Sequence, residues 1–351
     1  MEINFFKKNT ILSGKSLKSA LKLLGNLKKE HAVIFIVDEN KKLMGSLTDG
    51  DIRRVLINKS INLKSSVNDS MNKSPGSINI RKIDTEKIIS YRNDYIKILP
   101  VIDHNGVVVD FLNFSEEKNI LSLDTIIMAG GRGERLKPLT NSTPKPLLKI
   151  DGKTIIDHKI NSLLKYGIRN IYITVNYLGN KINSHIEQSN FRNSSISIIK
   201  EKNPLGTIGV VSKIKTISTE NVLVTNADLL TDVDFEKFFL YHIKNKSDLT
   251  ILSVPYRHTV PYATLEVENH DDIKGIKEKP TYRYLTNGGI YLIKSIHLKL
   301  IPKNTFYNAT DLIELLISKE LKVKNYFHEG NWIDVGNPTD LIRAKSGFNN
   351  E

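Results

Sequence analysis

The sequence predicts an α/β protein. Its C-terminal two-thirds reads as a mixed, mostly parallel sheet covered by helices, preceded by a smaller α+β region. Three observations predict this. From Asp124 onward, short apolar runs alternate with segments of helical spacing. The first of these runs opens directly into glycines. Ahead of residue 120, a helix–strand–strand pattern occurs twice.

In the first copy, Leu17 to Leu24 has apolar positions at helical spacing, and Ala32 to Val37 is an unbroken apolar run suited to a buried strand. Asp38 to Lys41 is a turn, Leu43 to Leu47 a second strand, and Asp49 to Leu56 a helix behind Thr48, a good N-cap. The second copy is weaker. Ile98 to Asp103 parallels the run ending at Asp38, His104-Asn105-Gly106 is the turn, and Val107 to Leu112 is the second strand. Ser115 to Ser122 reads as the linker, between an N-terminal domain over 1–118 and a C-terminal domain over 124–351. Beyond it, Thr125–Ala129, Ile171–Val175, Ile196–Ile199, Val222–Thr225 and Leu249–Val254 are strands. Ile155–Tyr166 and Phe235–Lys244 are among the helices between them. Alternation of this kind argues for a sheet covered on both faces.

Composition removes several classes of function. The 351 residues include no cysteine, which excludes disulfides, zinc–thiolate sites and thiol nucleophiles. The net charge of +13 invites a nucleic-acid reading, but the excess is spread along the chain, without zinc-finger or RNA-binding patterns. The expectation is therefore no nucleic-acid partner and an affinity for small phosphorylated molecules. No apolar run reaches the ~18 residues that span a bilayer, and Met1 to Lys7 lacks a signal-peptide pattern. The expectation is a cytoplasmic protein with no membrane partner.

The chemistry concentrates between Met128 and Leu147. Ala129-Gly130-Gly131-Arg132-Gly133-Glu134-Arg135 follows the first strand. Glycines there let backbone amides approach a polyphosphate, and basic residues neutralise it. Taken alone, the same glycines also suit a tight strand exit. The spacing is neither that of a P-loop nor that of the dinucleotide fingerprint. Thr143-Pro144-Lys145-Pro146-Leu147 holds one lysine between two prolines. Each proline fixes φ and restrains its predecessor, a rigidity that a phosphate ligand gains from.

Glycine loop, Arg135 and Lys145 together resemble the signature of the sugar-1-phosphate nucleotidyltransferases, Gly-Gly-x-Gly-x-Arg-Leu-x-Pro-Leu-Thr followed by Pro-Lys-Pro. The resemblance covers about residues 124–346 and implies a Rossmann-like, GT-A-type fold. Glu201-Lys202-Asn203-Pro204-Leu205-Gly206-Thr207-Ile208-Gly209 is similar to the family's loop against the nucleotide base, with Ile208 in place of the usual alanine, which would reshape the base pocket. Val224 to Asp228 is similar to the strand end that delivers a metal-binding aspartate, Ala227 standing where glycine is usual. A helix N-cap is the lesser alternative for Asp228. Glu278-Lys279-Pro280 and Asn287 to Tyr291 resemble the two sugar-phosphate segments, and Trp332 to Pro338 the closing motif, although Trp332 also suits core packing.

By that resemblance, Arg135, Lys145, Asp228 and Lys279 are catalytic. Ala129, Gly130, Gly131, Gly133, Glu201, Gly206 and Thr207 bind the nucleotide. Asn226, Glu278, Asn287 and Gly289 bind the sugar, and Asp228 and Asp334 hold Mg²⁺.

The N-terminal duplication resembles a tandem pair of cystathionine-β-synthase (CBS) modules. Gly45 to Asp51 is similar to their Gly-x-x-Ser/Thr-x-x-Asp pattern, so Thr48 and Asp51 would meet an adenosine-type nucleotide. They could equally only cap a helix while the pair assembles a homo-oligomer. The second copy, Asp110 to Phe114, lacks both residues. A CBS pair joined to a short transferase resembles guanylyltransferases that activate glucosamine 1-phosphate for legionaminic-acid synthesis. The expected substrates are GTP and that sugar phosphate. Mannose or heptose 1-phosphate with GTP, or a hexosamine 1-phosphate with UTP, stand as alternatives. A nucleotide sensor without turnover is the competing class.

Overall fold

The computed structural model describes residues 8–27, 32–58, 61–191, 194–201, 203–268 and 271–347. Met1 to Lys7, on which the signal-peptide reading rests, and Lys202 of the base-loop motif lie outside them. The chain divides into two compact units, Met1–Leu121 with Lys165–Gly167, and Ser122–Leu164 with Ile168–Glu351.

The first unit contains β1 (Thr10–Leu12), α1 (Leu17–Gly25), β2 (Val33–Val37), β3 (Leu43–Thr48), α2 (Asp49–Asn58), β4 (Ile78–Asn79), α3 (Thr85–Asn93), β5 (Ile98–Ile102) and β6 (Val108–Asn113). Its sheets, β1-β2-β3 and β4-β5-β6, share one topology, a parallel pair followed by an antiparallel pair. The duplication extends to irregularities. The first hairpin shifts register between Ile36 and Val37, and the second at the equivalent Val101 and Ile102. Asp38 Oδ1 accepts from the amides of Asn40 and Lys42 at 2.9 and 2.8 Å. Asp103 Oδ1 accepts from Asn105 and Val107 at 2.8 and 2.9 Å. Such aspartate-closed turns compete well with further strand pairing and fix where each hairpin reverses. The copies meet through Phe35, Val37, Ile98, Val108 and Phe111, with the two phenyl rings 5.4 Å apart.

The second unit contains β7 (Leu123–Ala129), β8 (Lys149–Ile150), β9 (Lys153–Thr154), α4 (Ile155–Leu164), β10 (Asn170–Val175), α5 (Gly179–Gln188), β11 (Ser195–Lys200), β12 (Asn221–Asn226) and β13 (Leu229–Thr231). It continues with α6 (Phe235–Lys244), β14 (Leu249–Thr259), β15 (Thr264–Glu268), β16 (Asp272–Lys277), β17 (Thr281–Lys294), α7 (Ala309–Ser318), β18 (Val323–Phe327), β19 (Trp332–Asp334) and α8 (Pro338–Gly347). The seven-stranded sheet has the order β11-β10-β7-β12-β17-β14-β18. Four consecutive strands, β11 to β12, run parallel; β17 is antiparallel to both its neighbours. β7 is central and almost wholly buried, as the apolar run Ile126-Ile127 requires of a strand covered on both faces.

Register positions the site. Ala129 pairs with Val175, Met128 with Asn226, and Val175 with Lys200. The carboxyl ends of the four parallel strands are therefore level, and the loops leaving them share one edge. Open α/β sheets bind ligands at that edge. Ile126, Val222, Val224, Tyr291 and Ile293 form one core cluster with Ala309, Leu312 and Leu316 of α7. Ile208 is fully buried in that cluster. The extra bulk of Ile208 over the usual alanine is therefore packed in the core.

Candidate active site

Lys145 begins a short 3-10 turn over Lys145–Leu147, behind Pro144 in extended conformation. Its side chain is folded inward, leaving the residue 8% exposed. Nζ donates to Asp228 Oδ2 and, at 3.4 Å, to Asp334 Oδ1. Asp228 follows β12, and Asp334 ends β19. These two segments are joined because β13 pairs with β19, placing Leu229 opposite Asp334, and because Val335 N donates to Asp228 O at 3.1 Å. One cation thus bridges two carboxylates from distant parts of the chain. Asp228 does not cap a helix here, so that alternative falls away.

The glycine loop lies against the same cluster. A Cβ on Gly133 would stand 3.3 Å from Lys145 Cβ, and one on Gly336 would stand 3.0 Å from Arg135 Nη2. The Arg135 guanidinium therefore rests on the backbone just past Asp334. On the loop's other side, a Cβ on Gly130 would reach Glu201 Oε1 at 3.0 Å. Glu201 is anchored by Leu205 N, which donates to its Oε2 at 3.2 Å. Burial pushes its carboxyl above the ordinary glutamate range, against the opposing effects of the Leu205 amide and of Lys213. Ala129 is buried at the end of β7, while Gly131 faces open space.

The base-loop residues form a second locked segment. Gly206 has φ 76°, in the left-handed region, and a Cβ there would lie 2.6 Å from Tyr307 O. Thr207 Oγ1 accepts from Ala309 N at 2.8 Å, satisfying an amide at the start of α7. Gly289, φ 69°, lets the Asn226 amide approach: a Cβ would meet Nδ2 at 2.7 Å. Asn287 Oδ1 accepts from Gly289 N at 3.0 Å. Trp332 Nε1 donates to Gly288 O at 2.9 Å, so the indole ties the closing motif to this segment. Glu278 and Lys279 stand apart, exposed at the turn between β16 and β17. Lys279 has φ 43°, a backbone state that side-chain-bearing residues rarely hold.

Electrostatics set the pair of carboxylates apart. Asp334 is pushed above the ordinary aspartate range by burial and by the Asp228 charge, against the effects of Lys145 and Arg135. A divalent cation between two neighbouring carboxylates relieves such like-charge repulsion. Asp228 Oδ1 is buried without a hydrogen-bond partner. A bound divalent cation fits that arrangement, with remaining ligands from substrate oxygens: among the described residues, no group of three or more acidic or histidine side chains converges.

Sequence reasoning missed three contributors. Tyr177 Oη donates to the carbonyls of Thr140 and Asn141 at 3.1 Å, and Lys181 Nζ donates to Ser142 O, together clamping the segment ahead of Lys145. The side chains follow β10 at the shared edge, a position readable only once register is known. Lys159 is the third. It lies on the buried face of α4, 3% exposed, and burial pulls its ammonium down to about 8 while Asp228 acts to raise it.

In the first unit, Thr48 N and Oγ1 donate to Asp51 Oδ2 at 2.9 and 2.7 Å, and Asp51 N donates to Thr48 Oγ1 at 3.2 Å. Arg54 takes Asp51 Oδ1 at 2.8 Å. The two residues form a reciprocal cap on α2.

Comparison with known proteins identifies the family. The chain is 29% identical over 224 residues to the mannose-1-phosphate guanylyltransferase catalytic subunit beta of Drosophila melanogaster, covering 62% of this chain and 60% of that protein. It is 33% identical over 229 residues to the bifunctional protein GlmU of Methanocaldococcus jannaschii, covering 63% and 53%. The chain thus spans about half to three-fifths of the length of these relatives. Among solved structures, HddC from Yersinia pseudotuberculosis complexed with GMP-PN matches with a TM-score of 0.52 and 26% identity, over 65% of this chain and 100% of that one. A CBS domain model matches residues 8–58, the first of the two copies. The nucleotidyl transferase family model matches residues 124–351, and on that span the chain belongs to this family.

Proposed function

We propose that this chain is an enzyme that transfers a nucleotidyl group from a nucleoside triphosphate, GTP by preference, to a sugar 1-phosphate. The observation that carries the reading is the Lys145 ammonium shared between Asp228 and Asp334 beside the glycine loop. A phosphate oxygen of the sugar 1-phosphate attacks the α-phosphorus. The bond to the bridging oxygen breaks, and its electron pair leaves with pyrophosphate. No covalent intermediate with the chain is needed. Two polyanions must be held in line while charge develops, which is work for positioned cations.

Arg135 receives the leaving pyrophosphate, and Lys145 exchanges a carboxylate for the reacting phosphates. Lys279 meets the sugar phosphate, with Glu278, Asn287, Asn226 and Gly289 on the sugar. Ala129, Gly130, Gly131 and Gly133 bring backbone to the triphosphate, and Glu201, Gly206 and Thr207 lie toward the base. Mg²⁺ held by Asp228 and Asp334 would supply neutralisation at the reacting phosphate.

The guanine preference is supported by the names of the relatives. The reading extends to glucosamine 1-phosphate, on the resemblance to guanylyltransferases of legionaminic-acid and bacterial surface-glycan synthesis. Mannose 1-phosphate is the second reading, favoured by the relatives' names. We assign residues 124–351 to catalysis in the cytoplasm, and 1–118 to regulation or homo-oligomeric assembly through the CBS pair. Among the described residues, no helix is long and apolar enough to cross a membrane.

The test is a matrix of four nucleoside triphosphates against several sugar 1-phosphates, scored by pyrophosphate release. GTP with glucosamine 1-phosphate is expected to be fastest. Activity with UTP alone overturns the guanylyl assignment, and no release with any pair favours a sensor without turnover.

A further inference from the structure

The centre contains one charge that the reaction scheme leaves unused. The buried face of α4 is formed by Ile155, Ile156, Lys159, Ile160 and Leu163. Lys159 falls in the same helical row as Ile155 and Leu163, where an apolar side chain would pack without cost. It is buried as deeply as its neighbours, at 3% exposure. Among the described residues, no hydrogen bond or ion pair is formed by its ammonium, and Asp228 is the charged group that acts on it. α4 packs against both β13, which follows Asp228, and the turn that carries Lys145. A lysine on an otherwise apolar buried helix face opposes folding, and the helix that carries it packs on the segments that hold Asp228 and Lys145, so its place there needs a functional account. The second observation is on the carboxylate. Asp228 Oδ2 is held by Lys145, while Oδ1 is buried and has no hydrogen-bond partner.

We propose that Lys159 is a positioning residue that acts through Asp228, as a fixed counter-charge holding that carboxylate in place when Lys145 leaves it for the substrate phosphates. The proposal rests on reading Asp228 and Asp334 as the cation-holding pair. Before substrate binds, the charges of Lys145, Lys159 and Arg135 act on the Asp228 and Asp334 carboxylates. When Lys145 turns to phosphate, Lys159 stays, because the helix row fixes it. It then keeps Asp228 aimed and limits how tightly a divalent cation is held, so that the cation leaves with product.

The test uses the full chain without substrates. Mn²⁺ is titrated and read by its EPR signal, beside thermal melts and turnover, for wild type, Lys159→Met and Lys159→Gln. Removing one fixed positive charge near the pair is expected to tighten Mn²⁺ binding about tenfold in both variants. Lys159→Met is expected to melt at or above the wild-type temperature and to turn over at least about tenfold more slowly. A purely structural role moves the melts without a common shift in Mn²⁺ affinity. Unchanged Mn²⁺ affinity in both variants, or shifts of opposite sign, overturns the proposal. So does wild-type turnover in Lys159→Met. A wild-type chain that binds Mn²⁺ but releases no pyrophosphate defeats the transferase reading, and the Mn²⁺ shift then decides Lys159 alone.

Discussion

The proposed role of Asp334 as a cation ligand comes at the expense of stability. Its raised carboxyl pKa means that the folded chain takes up a proton there more readily than the unfolded chain does. The sign follows: stabilisation is greatest below the ordinary aspartate value and is lost as pH rises through the raised value, so at neutral pH the ionised side chain opposes folding. Asp334→Asn is therefore expected to raise Tm while reducing turnover at least about a hundredfold. Asp228→Asn is expected to reduce turnover as severely but to lower Tm, because it removes the closer partner of a buried lysine. Circular-dichroism melts paired with pyrophosphate assays check both. The residues of this cluster were legible singly, each in its own motif. Their juxtaposition was not, because Lys145 and its partners lie 83 and 189 positions apart. Lys159 was hidden for a different reason: a lysine in a helical stripe reads as a solvated position until burial is known.

At the level of elements, the strand ends mattered more than the strands. The apolar runs announced β7, β10, β11 and β12, and the 65-residue offset between Asp38 and Asp103 announced the paired hairpins of the first unit. What the runs could not give was register, which makes Ala129, Val175 and Asn226 level. The long β17 was also obscured, since its first half is exposed and mixes polar residues with Tyr282, Tyr284 and Leu285, while its second half is buried in the sheet. The packing of α6 on β12 and β14 carries a pH-dependent component. His242, 1% exposed, donates Nε2–H to Asn221 Oδ1 at 3.0 Å and accepts at Nδ1 from Thr250 Oγ1 at 2.7 Å. Burial, aided by the Lys294 charge and opposed by Asp248, holds its pKa down to about 4. Stability from this group is complete above pH 6.5 and lost as pH falls to about 4, roughly 3 kcal/mol in all. Urea melts between pH 7.5 and pH 4.5 are expected to show this decline. His242→Gln is expected to flatten it, and an undiminished pH dependence in that variant contradicts the assignment.

For the molecule as a whole, the two units pose separate questions. The first unit repeats one hairpin design, yet only its first copy carries Thr48 and Asp51. Both are engaged in capping α2, with Asp51 paired to Arg54 as well. An adenosine nucleotide at this place must exchange those bonds for its own. AMP is expected to raise the Tm of the full chain and to leave the Tm of Thr48→Val unmoved; an equal rise in both places the nucleotide elsewhere. The second unit holds the central claim, that one ammonium between two carboxylates marks a site of nucleotidyl transfer. The most direct measurement follows a labelled α-phosphate. With GTP labelled at the α-phosphorus, glucosamine or mannose 1-phosphate and Mg²⁺, the label is expected in a sugar nucleotide, with unlabelled pyrophosphate released in equal amount, and neither product is expected from Asp228→Asn. Label remaining in GTP with every sugar phosphate, or appearing in GMP without sugar, would contradict the account.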